Sequence, residues 1–121
     1  MKEVTLTKEN FSDEVLQSEQ KVLVDFWATW CYPCKTMLPI IDELSEELKD
    51  TVKIGKVDVD EEDFLAAAFG IRSIPCFIIF EGGKPVRKTV GSMTKEDLVK
   101  FIEGDVDTED SSEEVEEVTE E

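Results

Sequence analysis

The sequence predicts an α/β protein in which a mixed sheet carries helices on both faces. Three observations predict it. Strand-like and helix-like segments follow one another in the order β-α-β-α-β-α-β-β-α, and such alternation places helices on both faces of a sheet. Val22 to Trp27 and Phe77 to Phe80 are near-continuous apolar runs, as expected of buried central strands. Gly82-Gly83 separates the last two strands and makes a hairpin there, so part of the sheet is antiparallel.

Val4-Thr5-Leu6 opens the chain as a short strand. Asn10 and Ser12 are placed to cap a short helix through Phe11, Val15 and Leu16, because their side-chain oxygens accept from the first helical N–H groups. After the Val22 to Trp27 strand, a helix begins near Pro33, whose fixed φ and missing N–H suit a first turn. Its apolar residues Met37, Ile41, Leu44 and Leu48 lie along one helical face. Pro39 does not suit a helix interior and predicts a kink. Val52 to Val59 alternates in part and reads as the third strand. Asp60 is placed to cap the next helix, Glu61, Glu62 and Asp63 favour its positive end, and Gly70 closes it. Val86 to Val90 follows the hairpin, and Pro85, Arg87 and Lys88 mark it as an edge strand. Thr94-Lys95-Glu96-Asp97 is a capping box with Asp in the usual Glu or Gln place, opening a last helix through Leu98, Phe101 and Ile102.

Residues 1–103 are predicted to be the folded domain and 104–121 an acidic, disordered tail. The chain has 13 Lys and Arg against 30 Asp and Glu, a formal net charge of −17. Eleven of those acids, and no base, fall between Glu103 and Glu121. Such a balance repels phosphates, which argues against nucleic acid and anionic membrane surfaces as partners. The tail has only valines as apolar side chains and cannot bury enough surface to offset the entropy of ordering, so it reads as a solubilising extension. Asp105, Asp107 and Glu109 alternate and raise calcium as a ligand, but the loop lacks the glycine an EF-hand needs at its sixth position. Ser111 and Ser112, among acids, raise phosphorylation by an acid-directed kinase. MKEVTLTKEN has no apolar signal region, and no stretch approaches 18 apolar residues, so neither export nor a membrane span is expected. The expected location is cytoplasmic.

There are three cysteines and no histidine. The missing histidine removes Ser–His and Cys–His catalysis and histidine metal ligation. Cys31-Tyr32-Pro33-Cys34 lies between a buried strand and a helix start, where N–H groups without helical partners stabilise a thiolate. Cys31, ahead of the helix, is expected to be the more exposed thiol and Cys34 the more buried one. That layout offers one attacking and one resolving sulfur, as thiol–disulfide exchange needs. The rivals are an iron–sulfur site shared between chains and a purely structural disulfide. A structural zinc site lacks ligands, since there is no second Cys pair.

Asp25 interrupts the apolar run that precedes the cysteines. A lone buried carboxylate is costly when ionised, so its pKa rises toward neutrality and it can exchange a proton with a thiol. On this reading Asp25 accepts the proton of Cys34. The alternative is a structural ion pair with Lys56 on the next strand.

Together these residues resemble the thioredoxin family. The resemblance covers residues 1 to about 102 and rests on Asp25-Phe26-Trp27-Ala28, Trp30-Cys31-x-x-Cys34-Lys35, Pro39, Lys56-Val57-Asp58-Val59-Asp60, Gly70-Ile71-Arg72-Ser73-Ile74-Pro75, and Gly82-Gly83-Lys84 followed by Gly91. It implies a thioredoxin fold, a three-layer α/β/α sandwich with a five-stranded mixed sheet and four flanking helices, that reduces protein disulfides, with Cys31 attacking, Cys34 resolving, and Asp25 with Lys56 handling the Cys34 proton. It implies a cis peptide before Pro75 and a target groove bordered by Trp30, Val59, Ser73, Ile74, Pro75, Val90, Gly91 and Ser92. It further implies no bound cofactor, a monomer, disulfide-containing target proteins, and electrons from a thioredoxin reductase, NADPH-linked. Two residues depart from the family pattern. Tyr32-Pro33 stands where Gly-Pro is usual, and residues between the cysteines tune the redox poise. A more oxidising, glutaredoxin- or isomerase-like activity and a non-catalytic binding module are therefore the rival functions. Cys76 stands where Thr is usual and reads either as buried packing beside Ile78 and Phe80 or as a third redox thiol.

Overall fold

The apolar run around Val24 takes the centre of the sheet, with partners on both sides. The computed structural model describes residues 3–104 and 116–117. In it β2 (Lys21–Trp27) pairs in parallel with β3 (Val52–Asp58) and antiparallel with β5 (Cys76–Glu81). β1 (Val4–Thr5) lies parallel to β3 at one edge and β6 (Lys84–Val90) antiparallel to β5 at the other, giving the order β1-β3-β2-β5-β6. The mixed five-stranded sheet matches the sequence expectation, including the edge position of β6. The β5–β6 register shifts where Pro85 faces Phe80, since a proline has no N–H to give the ladder.

Four α-helices flank the sheet: α1 (Tyr32–Thr36), α2 (Leu38–Glu47), α3 (Asp63–Ala68) and α4 (Lys95–Glu103). Their boundaries correct the sequence reading at three points. The helix expected to run kinked from Pro33 is broken at Met37 into α1 and α2. Pro39 then sits in the first turn of α2, where its missing N–H breaks no bond. The segment after Asn10 is a π-helical turn, Ser12–Leu16. It is entered by an exchange between Thr7 and Asn10, in which Thr7 N–H donates to Asn10 Oδ1 at 2.7 Å, and Ser12 bonds instead to Gln17. Lastly, α3 starts at Asp63, and Asp60 does not cap it. Gly70 does close α3, with φ +65°, as Ile71 N–H donates to the Ala66 carbonyl at 2.9 Å.

Alternation along β2 sorts its side chains into two cores. Val22, Val24 and Phe26 pack with Phe11, Leu65 and Phe80, while Leu23 packs on the other face with Ile41, Leu44, Phe77 and Phe101. α4 opens as expected, Thr94 Oγ1 accepting from Asp97 N–H at 3.0 Å. Its C-terminal carbonyls are met from the sheet, Arg87 donating to Phe101 at 3.0 Å and to Ile102 at 2.7 Å. Among the described residues no helix is long and apolar enough to cross a membrane.

The run from Asp105 to Glu109 and the pair Ser111 and Ser112 lie outside the described residues. Further along the tail, Glu116–Glu117 forms a short strand, β7, paired antiparallel with β4 (Ser73–Ile74). Composition alone did not point to that pairing.

Gly82 and Gly83 have φ of +61° and +80°, as a two-residue hairpin turn requires. Their surroundings differ. A Cβ at Gly82 meets nothing within 4 Å, whereas one at Gly83 runs into the Leu16 carbonyl oxygen. Gly82→Ala is expected to cost about 1–2 kcal/mol from backbone strain, and Gly83→Ala about 1–3 kcal/mol more from the overlap. Urea unfolding of both variants checks this; equal losses would show that the Leu16 contact carries no energy.

Candidate active site

Three loops meet at one end of the sheet: the one leaving β2, the one entering β5 and the one leaving β6. The first carries the cysteines. Cys31 is the N-cap of α1 in an extended conformation, and its sulfur accepts from Cys34 N–H at 3.2 Å. The two cysteines form a disulfide, their Cα atoms 5.3 Å apart. The second loop contributes Ile74-Pro75, joined by a cis peptide as the family resemblance implied. The Ile74 carbonyl oxygen lies 3.9 Å from Cys31 Sγ. The third loop is tied to the second by Gly91 N–H, which donates to the Pro75 carbonyl at 2.7 Å.

Exposure at this end differs from the sequence reading. Cys31 was expected to be the more accessible thiol, yet in the disulfide form it is 0% exposed and Cys34 2%. Both belong to one buried cluster with Ala28, Val59 and Ile74, and Val90 packs against it. What reaches solvent is aromatic: Trp30 is 48% and Tyr32 69% exposed. Trp30 is therefore not core. Its indole N–H donates to the Asp60 carboxylate at 2.7 Å, so the residue read as a helix cap instead anchors the tryptophan. Of the other groove candidates, Val59, Ile74, Pro75 and Gly91 are buried, and Ser73 and Ser92 are half-buried.

Asp25 sits in β2 opposite Lys56 of β3 and Phe77 of β5. It is buried, and its Oδ1 has no hydrogen-bond partner. Burial pushes its pKa up to about 7; the Lys56 ammonium opposes this shift and the Glu3 carboxylate adds to it. The structural Asp25–Lys56 ion pair weighed from sequence is not what forms. Lys56 Nζ pairs with Glu3 Oε2 at 3.4 Å and lies 5.0 Å from the centre of the Trp27 ring. Glu3 was missed because it lies beyond any motif; only the parallel β1–β3 register brings it near Lys56.

Cys76 is fully buried with Ile78 and Phe80, the packing partners that strand parity gives it. Burial pushes its thiol up to about 12, so it holds no useful thiolate at neutral pH. Among the described residues no group of three or more acids and cysteines is arranged to hold a metal ion.

Two outcomes follow from Asp25. Below about pH 4, folded and unfolded chains both hold its proton. As pH rises toward 7 the unfolded chain releases the proton first, so the native state loses stability, and above 7 the penalty is constant. Asp25→Asn should therefore stabilise the protein by an amount that grows from pH 4 to 7, reaching on the order of 4 kcal/mol. Melting curves across that range check it, and a pH-independent difference contradicts it. Charge removal on either side of Lys56 should also move the Asp25 titration in opposite directions, Lys56→Met upward and Glu3→Gln downward. Carboxyl NMR titration reads both, and shifts of the same sign would break this electrostatic account.

Residues 2–104 match the thioredoxin domain family. The chain is 44% identical over 97 residues to the thioredoxin of Rickettsia prowazekii, covering 80% of this chain and 92% of that protein. It is 45% identical over 95 residues to the thioredoxin of Alicyclobacillus acidocaldarius, covering 78% and 90%. It is 43% identical over 98 residues to thioredoxin 1 of a Nostoc species, covering 81% and 92%. A disulfide-forming Cys pair two residues apart at a helix start, beside a cis proline, is thus found in a chain that matches thioredoxins over nearly their whole length. The chain belongs to the thioredoxin family and is a thiol–disulfide oxidoreductase that reduces protein disulfides.

Proposed function

We propose that Cys31 is the attacking sulfur and Cys34 the resolving one. The observation that carries this reading is the hydrogen bond from Cys34 N–H to Cys31 Sγ at 3.2 Å. After reduction the same N–H favours a thiolate on Cys31. That thiolate attacks one sulfur of a target disulfide, forming a Cys31–target bond and releasing the other target sulfur as a thiol. Cys34 then gives its proton to the Asp25 carboxylate and attacks Cys31 Sγ. The internal disulfide forms, and the second target sulfur leaves and takes up a proton. Two electrons pass from the cysteine pair to the target. Asp25 suits the proton step because a pKa of about 7 lets it accept and return a proton at neutral pH. Lys56, held by Glu3, moderates that basicity.

The target chain lies extended along Ser73–Ile74 and pairs with their backbone. Trp30, Val59, Pro75, Val90, Gly91 and Ser92 border it. A thioredoxin reductase drawing on NADPH returns the pair to the dithiol, so no cofactor needs to be bound. The protein works as a monomer in the cytoplasm, a compartment whose reducing poise keeps such a pair in use. Tyr32, exposed beside the sulfurs, favours one further reading, a potential shifted toward oxidising or isomerising exchange.

Reduction of insulin by the full chain, with Cys34→Ser as the trap, tests the assignment. Cys34→Ser should accumulate a Cys31-linked mixed disulfide with the target, and Cys31→Ser should accumulate none. Asp25→Asn should slow resolution by about 10²-fold at pH 7. A mixed disulfide through Cys34 would reverse the two roles. A potential near roughly −270 mV marks a general reductant, and one near roughly −200 mV a more oxidising exchanger.

A further inference from the structure

β4 and β7 form a small sheet of their own, apart from the five-stranded one. Ser73 pairs with Glu117 and Ile74 with Glu116, antiparallel. This is the same two-residue stretch, directly ahead of the cis Pro75, on which the proposed function seats a target. We infer that the C-terminal segment around Glu116–Glu117 is a tethered competitor that occupies the target-docking edge of its own chain. The inference rests on the docking role proposed above for Ser73–Ile74.

Four observations bear on it. First, one strand edge offers its backbone groups to a single partner, so β7 and an incoming peptide exclude one another. Second, Ile74 contacts the disulfide directly, its carbonyl oxygen 3.9 Å from Cys31 Sγ, and Cys31 is wholly buried. The edge that β7 occupies is thus the one that would bring a target's disulfide to that sulfur. Third, the tail can reach. Twelve residue steps separate Gly104 from Glu116, enough for a span of roughly 40 Å, beyond the ~30 Å width of a small domain. Fourth, the paired dipeptide is bracketed by Val115 and Val118, two of the three apolar residues after Gly104. β-branched residues on either side of a dipeptide suit an extended strand.

The interaction is built to be displaced. It spans two residues, and the acids of the tail meet a protein of net negative charge, so no overall charge attraction adds to the backbone pairing. Tethering offsets this by keeping the segment at roughly millimolar effective concentration. A target with a longer, better-matched extended segment displaces β7, and a poorly matched one does not. The tail then raises KM for weak targets and leaves the chemical step alone.

The test uses the full-length chain. Glu116→Pro/Glu117→Pro removes whichever amide donor the two-residue pairing uses, while Glu116→Gln/Glu117→Gln removes the same two charges and keeps the donors. Each is compared with the parent chain on insulin and on 5,5′-dithiobis(2-nitrobenzoate), a small disulfide with no backbone to pair. The proline variant should lower KM for insulin by about two- to ten-fold, the range set by partial occupancy of the edge. Its kcat for insulin and its rate with the small disulfide should be unchanged, and the glutamine variant should match the parent. An insulin KM equal to the parent's in the proline variant overturns the inference, while activity on both substrates leaves the exchange chemistry standing. An equal gain in the glutamine variant also overturns it, because charge and not strand pairing would then be the cause. If no chain reduces either disulfide, the proposed chemistry falls and the inference with it.

Discussion

The burial of one carboxylate in the central strand is the constraint on which the rest of the site depends. Asp25 lies between β3 and β5, with an oxygen that no donor reaches. An ionised carboxylate there is desolvated by burial and has an oxygen without a donor, so its charged form is disfavoured. The surrounding charges are arranged to keep this disfavour partial. Lys56 stands across the strand pair and favours the anion, and Glu3 draws that ammonium into an ion pair of its own. The result is a group poised near neutrality, not one locked into a salt bridge. A fold selected for stability alone would place an apolar side chain at this position, as its neighbours Val24 and Phe26 show.

The same constraint explains why the chemistry collects at one end of the sheet. A strand buried on both faces has room for groups that must meet another protein only where it ends. β2 ends at Trp27, and within four residues the chain reaches Cys31 at the start of α1. The loops before β5 and after β6 close over that point through the Pro75 carbonyl and Gly91 N–H. No element supplies the site alone. Each gives backbone geometry to a sulfur or a carbonyl, and backbone geometry is held by sheet hydrogen bonds more firmly than a long side chain would be.

Most of this was legible in the sequence, because the signals that carry it are local. The apolar runs, the Gly82-Gly83 turn, the Thr94 cap and the Cys pair at a helix start all act over a few residues, and each appears where the pattern put it. What escaped involves contacts distant in sequence. Glu3 meets Lys56 only through strand register. Asp60 had a good local reading as a helix cap, and a tryptophan thirty positions earlier took it instead. Pro39 was read for its strain, but the break at Met37 removes the strain by starting a new helix. The burial of Cys31 was misjudged because helix position says where a thiol begins, while the disulfide and Ile74 decide where its sulfur ends. The β7 pairing was hidden because composition measures how much surface a tail can bury. It says nothing of a backbone edge that accepts two residues of almost any sequence.

Asp25 and Cys76 show how one physical effect gives opposite chemical outcomes. Both are buried near the middle of the sheet, and burial disfavours the charged form of each. An ordinary carboxylate starts far below neutrality, so burial carries it up to about 7, into the range where protons are exchanged in water. An ordinary thiol already starts above neutrality, so the same push takes it to about 12, out of that range. The buried acid can thereby exchange a proton near neutral pH, while the buried thiol keeps its own there. A cysteine directly after the cis proline can thus sit in the same buried cluster as Cys31 and Cys34 and stay a protonated thiol. Keeping that proton does not require distance, only the lack of a donor or cation strong enough to offset its burial.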